Sequence, residues 1–156
     1  IESAKLFKNK IDNFKILVVG ECYGDENKYI QLAEDNDVSD VIDFRFEFLP
    51  NEEVNQYFCA ADLVALPYKS ATQSGVVPIA YHFDIPVVVS NVGGLPEVVA
   101  NGETGFICEP NPNSIAESIV KYFNKDPDFF SQNINEYKKQ FSWDNFAEIV
   151  LELVKS

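Results

Sequence analysis

One regularity constrains this chain more than any other: short apolar runs alternate with helical stretches from end to end. Phe14-Lys15-Ile16-Leu17-Val18-Val19-Gly20 is nearly continuous in apolar residues, as expected of a strand buried on both faces of a parallel sheet. Val41-Ile42-Asp43-Phe44, Asp62-Leu63-Val64-Ala65-Leu66-Pro67, Pro86-Val87-Val88-Val89-Ser90 and Gly105-Phe106-Ile107-Cys108 read as further strands. Between them lie helical segments at residues 1–10, at Asp25–Asn36 with Tyr29, Ile30, Leu32 and Ala33 inward, and from an Asn51 cap to Ala60 or Ala61. Thr72–Phe83 reads as a helix too, and Pro78 suits its first turn if the helix begins nearer Gly75. A short helix at Leu95–Val99 and longer ones at Ile115–Phe123 and Asp128–Gln140 follow. The terminal helix opens at Ser142-Trp143-Asp144-Asn145, and its Phe146, Ile149, Val150, Leu151 and Val154 predict a buried stripe. Strands alternating with helices imply a parallel sheet with crossover connections.

Composition sets the outer limits. A chain of 156 residues suits one domain, and 46% apolar with 13% aromatic residues can fill a core. The net charge of −13 argues against a nucleic-acid partner, which would call for clustered Lys and Arg. It leaves a single diphosphate open as ligand, because backbone amides and a local cation suffice. The three cysteines, Cys22, Cys59 and Cys108, form no CxxC pair and read as buried free thiols of a reducing, cytoplasmic compartment. His82 is the only histidine, which disfavours a zinc site; inside a helix it reads as partly buried structure. No window reaches the length of a transmembrane span. Ile1–Phe7 looks like helix interior without a cap, so the chain reads as a piece of something longer.

Chemistry concentrates between Leu66 and Glu97. The turn Ser70-Ala71-Thr72-Gln73-Ser74-Gly75 joins a strand end to a helix start. In open α/β sheets ligands bind at the carboxyl ends of strands, and a helix start offers unpaired N–H groups to a phosphate. Thr72, Ser74 and the amides of Ser74, Gly75 and Val76 are therefore the candidate diphosphate cradle, with an ordinary helix cap as the bland alternative. Gln73 either reaches sugar hydroxyls or caps the helix. The loop Asn91-Val92-Gly93-Gly94-Leu95-Pro96-Glu97 should open on the same rim, its Gly93, Gly94 and Glu97 chiefly shaping the turn. Trp143 reads as a core or domain-packing anchor. The expectation is a Rossmann-like three-layer α/β/α domain with a mostly parallel sheet.

The order of these segments carries a resemblance. Leu66-Pro67-Tyr68, Gly75–Phe83, Pro86–Ser90, Gly93–Glu97 and Asn101–Phe106 resemble successive motifs of retaining glycosyltransferases of GT-B architecture, family 4, in their C-terminal, donor-binding half. Phe48-Leu49-Pro50-Asn51-Glu52-Glu53-Val54 is similar to the family's Pro-x-Glu-Glu turn. The resemblance implies a nucleoside-diphosphate sugar as donor substrate, such as a UDP-sugar, with no cofactor, and no metal requirement is expected. It implies an N-terminal acceptor-binding domain in cis, through which any membrane association would run. It also places Arg45 and Phe46 where the family holds the nucleobase, and Glu21 where it would face the donor pocket; surface loops are the bland reading. The same motifs on a degenerate protein would make a non-catalytic nucleotide-binding or interaction module.

The sequence departs from the pattern in two ways. The family's paired glutamates fall here near Ala71 or Thr72 and at Ile79, and none of these is acidic. A Ser-Ala-Thr-Gln-Ser-Gly turn stands in for the first, as in a bacterial branch of the family. The resemblance also implies that the domain's first strand, central in the Rossmann order, and the basic residues after it belong ahead of Ile1, outside this sequence. Unpaired buried strand edges are costly. The gap between Lys15–Gly20 and Asp62–Leu66 is therefore expected to close, by direct pairing of those strands or by a segment of another copy.

Overall fold

Caps and breakers set the element boundaries. Asp25 accepts from the Asn27 amide, Asn111 from Ser114 and Asp126 from Asp128, each satisfying an orphan N–H at a helix start. The computed structural model describes residues 1–155, without the side chains of Trp143, Asp144 and Lys155. The anchor expected at Trp143 therefore lies outside the described side chains. In chain order the elements are α1 (Glu2–Phe7), β1 (Ile16–Val19), α2 (Glu26–Asp35), β2 (Ile42–Arg45), α3 (Asn51–Cys59), β3 (Val64–Leu66), α4 (Val76–His82), β4 (Val87–Ser90), β5 (Gly105–Cys108), α5 (Pro112–Phe123), α6 (Pro127–Tyr137) and α7 (Trp143–Lys155). Two 3-10 turns, Leu95–Val98 and Lys138–Phe141, complete them.

Most elements fall where the pattern puts them, with boundaries moved for local reasons. α4 starts at Val76 rather than Thr72, so Pro78 sits in its first turn, where a missing N–H is harmless. α3 is capped by Pro50, not Asn51, which is already helical. Arg45 is the last residue of β2 rather than the first of a loop.

All strand pairs are parallel. β1 pairs with β2, Ile16 opposite Ile42. β3, β4 and β5 form a second sheet, with Val64 opposite Val87 and Val87 opposite Gly105. β4 is buried along its whole length. Alternation sends its Val87 and Val89 into one core cluster with Val77, Tyr81, Leu95, Phe130 and Ile134. It sends Val88 into a second cluster with Ala4, Phe7, Val38, Ile42, Ile115 and Ile119. Apolar cores thus line both faces of the sheet, as a Rossmann-like three-layer fold requires. The second cluster also draws on Ile16 of β1 and Leu63 beside β3, so it spans both sheets.

The gap, however, is not closed by direct pairing: β1 and β3 belong to separate sheets of two and three strands. Leu17 and Val18 are 43% and 38% exposed, so β1 is not buried on both faces as its apolar run suggests. Adjacent residues on a strand point to opposite faces, and here both faces see solvent. α2 covers little of them, because only Ala33 is buried while Tyr29 and Ile30 are exposed. The edges can be read residue by residue. Ile16 and Gly20 donate to Val41 and Arg45, and Val64 donates to Pro86. Parallel ladders alternate, so the amides of Leu17 and Val19, and of Leu63 and Ala65, face away from their partners. In this chain those four amides should exchange with deuterium far faster than Val87 and Val89 between their two neighbours. Equal protection across the two sets would show that something already fills the gap.

Three further expectations are corrected. The apolar stripe of α7 is not buried: Phe146, Ile149, Val150, Leu151 and Val154 are 40% to 79% exposed. Periodicity shows that a helix has a face to cover, not that residues of the same domain cover it. His82 is exposed on α4, with its ring edge-on to Phe83. Of the free thiols only Cys108 is buried; Cys22 is half-buried and Cys59 exposed.

Candidate functional site

The carboxyl ends of β3, β4 and β5 carry the best-built part of the rim. After β3 the chain turns at Tyr68, whose amide bonds to Leu66 O, and runs through Ser70–Gly75 into α4. After β4 it enters the glycine loop. These two loops are clamped together: the Gly94 amide donates to Thr72 O at 2.7 Å. Gly93 has φ of +54°, and a Cβ there would lie 1.7 Å from Ala71 O, so the two backbones touch where no side chain fits. After β5, Asn91 Nδ2 donates to Glu109 Oε1 at 3.2 Å, and the Glu109 amide donates to Ser114 Oγ at 3.0 Å. Three successive strand ends are thereby cross-linked into one surface.

Within it, Thr72, Gln73 and Gly75 are exposed, and Ser74 and Val76 are half-buried. Gly75 is the N-cap of α4 and supplies no capping side chain. Ser74 Oγ accepts from the Val76 amide at 3.2 Å, so two members of the expected cradle engage each other. The cap reading and the phosphate reading of this turn therefore use the same atoms. Lys69, passed over in the sequence reading, is exposed just ahead of the turn and brings a positive charge to it.

The remaining candidates sit on the other sheet. Arg45 ends β2, forms an ion pair with Asp43 at 3.3 Å, and donates to Tyr57 Oη at 3.3 Å. The Tyr57 hydroxyl and the Asp43 carboxylate hold its pKa above the usual value. Phe46 is half-buried and stacked on Phe44 at 5.2 Å, with Tyr29 tilted against it at 6.3 Å. Glu21 is exposed and accepts from Tyr23 Oη at 2.9 Å, which raises the phenol's pKa. Among the described residues no hydrogen bond or ring contact joins Glu21, Arg45 or Phe46 to Thr72–Val76. The structure thus separates the candidate residues into two groups, one per sheet.

Two Asp-x-Asp triplets, Asp35-Asn36-Asp37 and Asp126-Pro127-Asp128, need a structural account because such triplets can bind metal. The first closes α2, and the second caps α6 through Asp126 Oδ1 and the Asp128 amide. Among the described residues no three His, Cys, Asp or Glu gather as metal ligands. Burial, aided by Glu109, pushes the Cys108 thiol up to about 11, so it stays protonated and unreactive at neutral pH. No helix among the described residues is long and apolar enough to cross a membrane.

Comparison with known proteins places this geometry. The family model for glycosyl transferases group 1 matches residues 1–141. A D-inositol 3-phosphate glycosyltransferase of Mycolicibacterium smegmatis is 30% identical over 150 residues, which is 91% of this chain and 34% of that protein. The chain therefore spans about a third of the length of such curated relatives. The C-terminal domain of a glycosyl transferase group 1 protein from Francisella tularensis superposes with a TM-score of 0.78 at 18% identity, covering 89% of this chain and 75% of that one. HepE of Anabaena, solved in complex with UDP, gives 0.72 at 20% identity over 98% of this chain and 43% of its own. The chain belongs to the glycosyl transferases group 1 family and has the Rossmann-like fold of its GT-B members.

Proposed function

We propose that this chain is the nucleotide-sugar-binding half of a retaining, hexosyltransferase-like glycosyltransferase. It holds a nucleoside-diphosphate sugar, of the UDP-sugar kind, while an N-terminal domain of the same protein presents an acceptor hydroxyl. The observation that carries the reading is the clamped rim at β3–β4, in a domain whose fold HepE shares, and HepE has been solved with UDP and with UDP-glucose. The diphosphate lies at the Thr72–Val76 turn. The base lies toward Arg45 and Phe46, with Glu21 on the donor side. Catalysis comes mainly from stabilising negative charge on the departing diphosphate. The reading includes no metal or cofactor, a cytoplasmic site of action, and no turnover by this part alone.

A second reading has one observation in its favour. The positions near Ala71 or Thr72 and at Ile79, where the family pattern puts carboxylates, are not acidic, which suits a non-catalytic nucleotide-binding or interaction module. Titrating UDP and UDP-glucose into the full-length protein, then assaying sugar transfer, separates the readings. Binding that weakens about tenfold in Ser74→Ala, with transfer present, supports the enzyme. Binding without any transfer supports the module. No binding at millimolar nucleotide overturns the enzyme and leaves an interaction module.

A further inference from the structure

The clamp between the two loops gathers more than backbone. The position a Cβ would take on Gly94 is 2.8 Å from Thr72 O, 3.3 Å from Gln73 Cγ and 3.8 Å from Glu97 Oε2. One point on the rim is thus flanked by the aliphatic stem of Gln73 and by a carboxylate far from it in sequence. Glu97 is held on a firm base. It sits in the 3-10 turn Leu95–Val98, its amide donates to Gly94 O at 3.3 Å, and Leu95 beside it is fully buried. Its side chain is exposed, and among the described residues the carboxylate has no hydrogen bond or ion pair. Gln73 is likewise exposed.

We propose that Glu97, with Gln73 beside it, is the specificity-determining contact to hydroxyls of the transferred sugar. The inference rests on the donor-site reading above and adds the part of the donor that this corner recognises. Charge decides which part. A carboxylate repels a diphosphate, so Glu97 cannot belong to the phosphate cradle; it belongs to the neighbouring sugar, whose hydroxyls are donors. An ionised carboxylate accepts from two vicinal hydroxyls, and an amide offers both a donor and an acceptor. The ligand class is a nucleoside-diphosphate hexose with free adjacent hydroxyls. A merely structural Glu97, favouring the start of a one-turn helix, would touch stability and leave ligand choice alone.

Calorimetric titration of the full-length protein with UDP, UDP-glucose and UDP-N-acetylglucosamine tests this, in the wild type, Glu97→Gln and Gln73→Ala. The wild type should bind one sugar nucleotide more tightly than UDP. Glu97→Gln should lose about tenfold to a hundredfold of that affinity while holding UDP unchanged, and Gln73→Ala should lose less. Thermal midpoints should stay within a degree or two of wild type, since both side chains are exposed. Discrimination that survives in Glu97→Gln overturns the inference. So does an equal loss for UDP and its sugars, and so does a wild type that binds UDP but gains nothing from either sugar. A wild type that binds none of the three overturns the donor-site reading instead.

Discussion

Replacing Gly105 with alanine is expected to remove about 3 kcal/mol or more of folding stability, a large share of what a domain this size has to spare. The reason is steric and lies in the backbone. A Cβ at this position would stand 2.0 Å from Val87 O and 2.9 Å from Val87 C and N. None of these is the tip of a side chain that could swing aside. Val87 cannot retreat, because β4 is buried along its length and sits between two strands. Gly105 cannot retreat without pulling on the Val87 N–H to Thr104 O bond, already long at 3.4 Å. Nearby lies a polar network with little slack: Thr104 Oγ1 lies 2.7 Å from Tyr81 Oη and accepts from the Ala100 amide at 3.0 Å, while Thr104 itself is 1% exposed. Displacing it would leave buried donors unsatisfied, which adds to the cost. Urea unfolding followed by circular dichroism measures the effect. Gly24→Ala is the control, since a Cβ at Gly24 meets nothing within 4 Å. A Gly105→Ala midpoint equal to that of Gly24→Ala would show that β5 has room the geometry denies it.

How much of this was legible in the sequence depends on which neighbour each residue relies on. β4 was legible because Pro86-Val87-Val88-Val89-Ser90 is buried on both faces and has no solvent side to alternate with. β1 has the same apolar look, yet Leu17 and Val18 are exposed. The run records that a strand needs neighbours, while the burial itself depends on whether the next strand is there. The stripe on α7 misled for the same reason. The start of α2 was legible at Asp25, whose side chain caps it, whereas α5 and α6, capped by Asn111 and Asp126, begin ahead of the expected Ile115 and Asp128, and α4, where Gly75 caps with no side chain, begins after the expected Thr72. Pro78 was the better guide there.

The Asn101-Gly102-Glu103-Thr104-Gly105-Phe106 motif is recognisable in sequence, and the structure supplies its physics. Asn101 Oδ1 accepts from the Ile107 amide at 3.0 Å, Thr104 ties the turn to Tyr81, and Gly105 permits the close approach to β4. The candidate site was legible only in part. The turn at Ser70–Gly75 announces itself as a break between strand and helix. The convergence of Gln73 and Glu97 does not, because it depends on one left-handed residue folding the second loop back onto the first.

That residue gives the other large effect. Gly93→Ala is expected to weaken UDP binding by the full-length protein about a hundredfold while leaving it folded. Alanine at φ of +54° is strained by about 1 kcal/mol, but strain is the smaller problem. Its Cβ would lie 1.7 Å from Ala71 O and 3.1 Å from Thr72 O, well inside contact distance of a backbone carbonyl. The loops must part by more than an ångström, and the Gly94 amide loses its 2.7 Å bond to Thr72 O. The turn that would hold the diphosphate is displaced as a result, and losing hydrogen bonds to a charged ligand, worth about 3 kcal/mol, costs on the order of a hundredfold in affinity. Both loops lie at the rim, with Gly93, Thr72 and Gln73 exposed, so the core can stay intact. Calorimetric titration of UDP alongside a thermal melt reads the two effects separately. A variant that binds UDP within twofold of wild type would mean that the nucleotide does not rest on the clamped loops. One that melts as Gly105→Ala does would mean that the clamp supports the core as well as the rim.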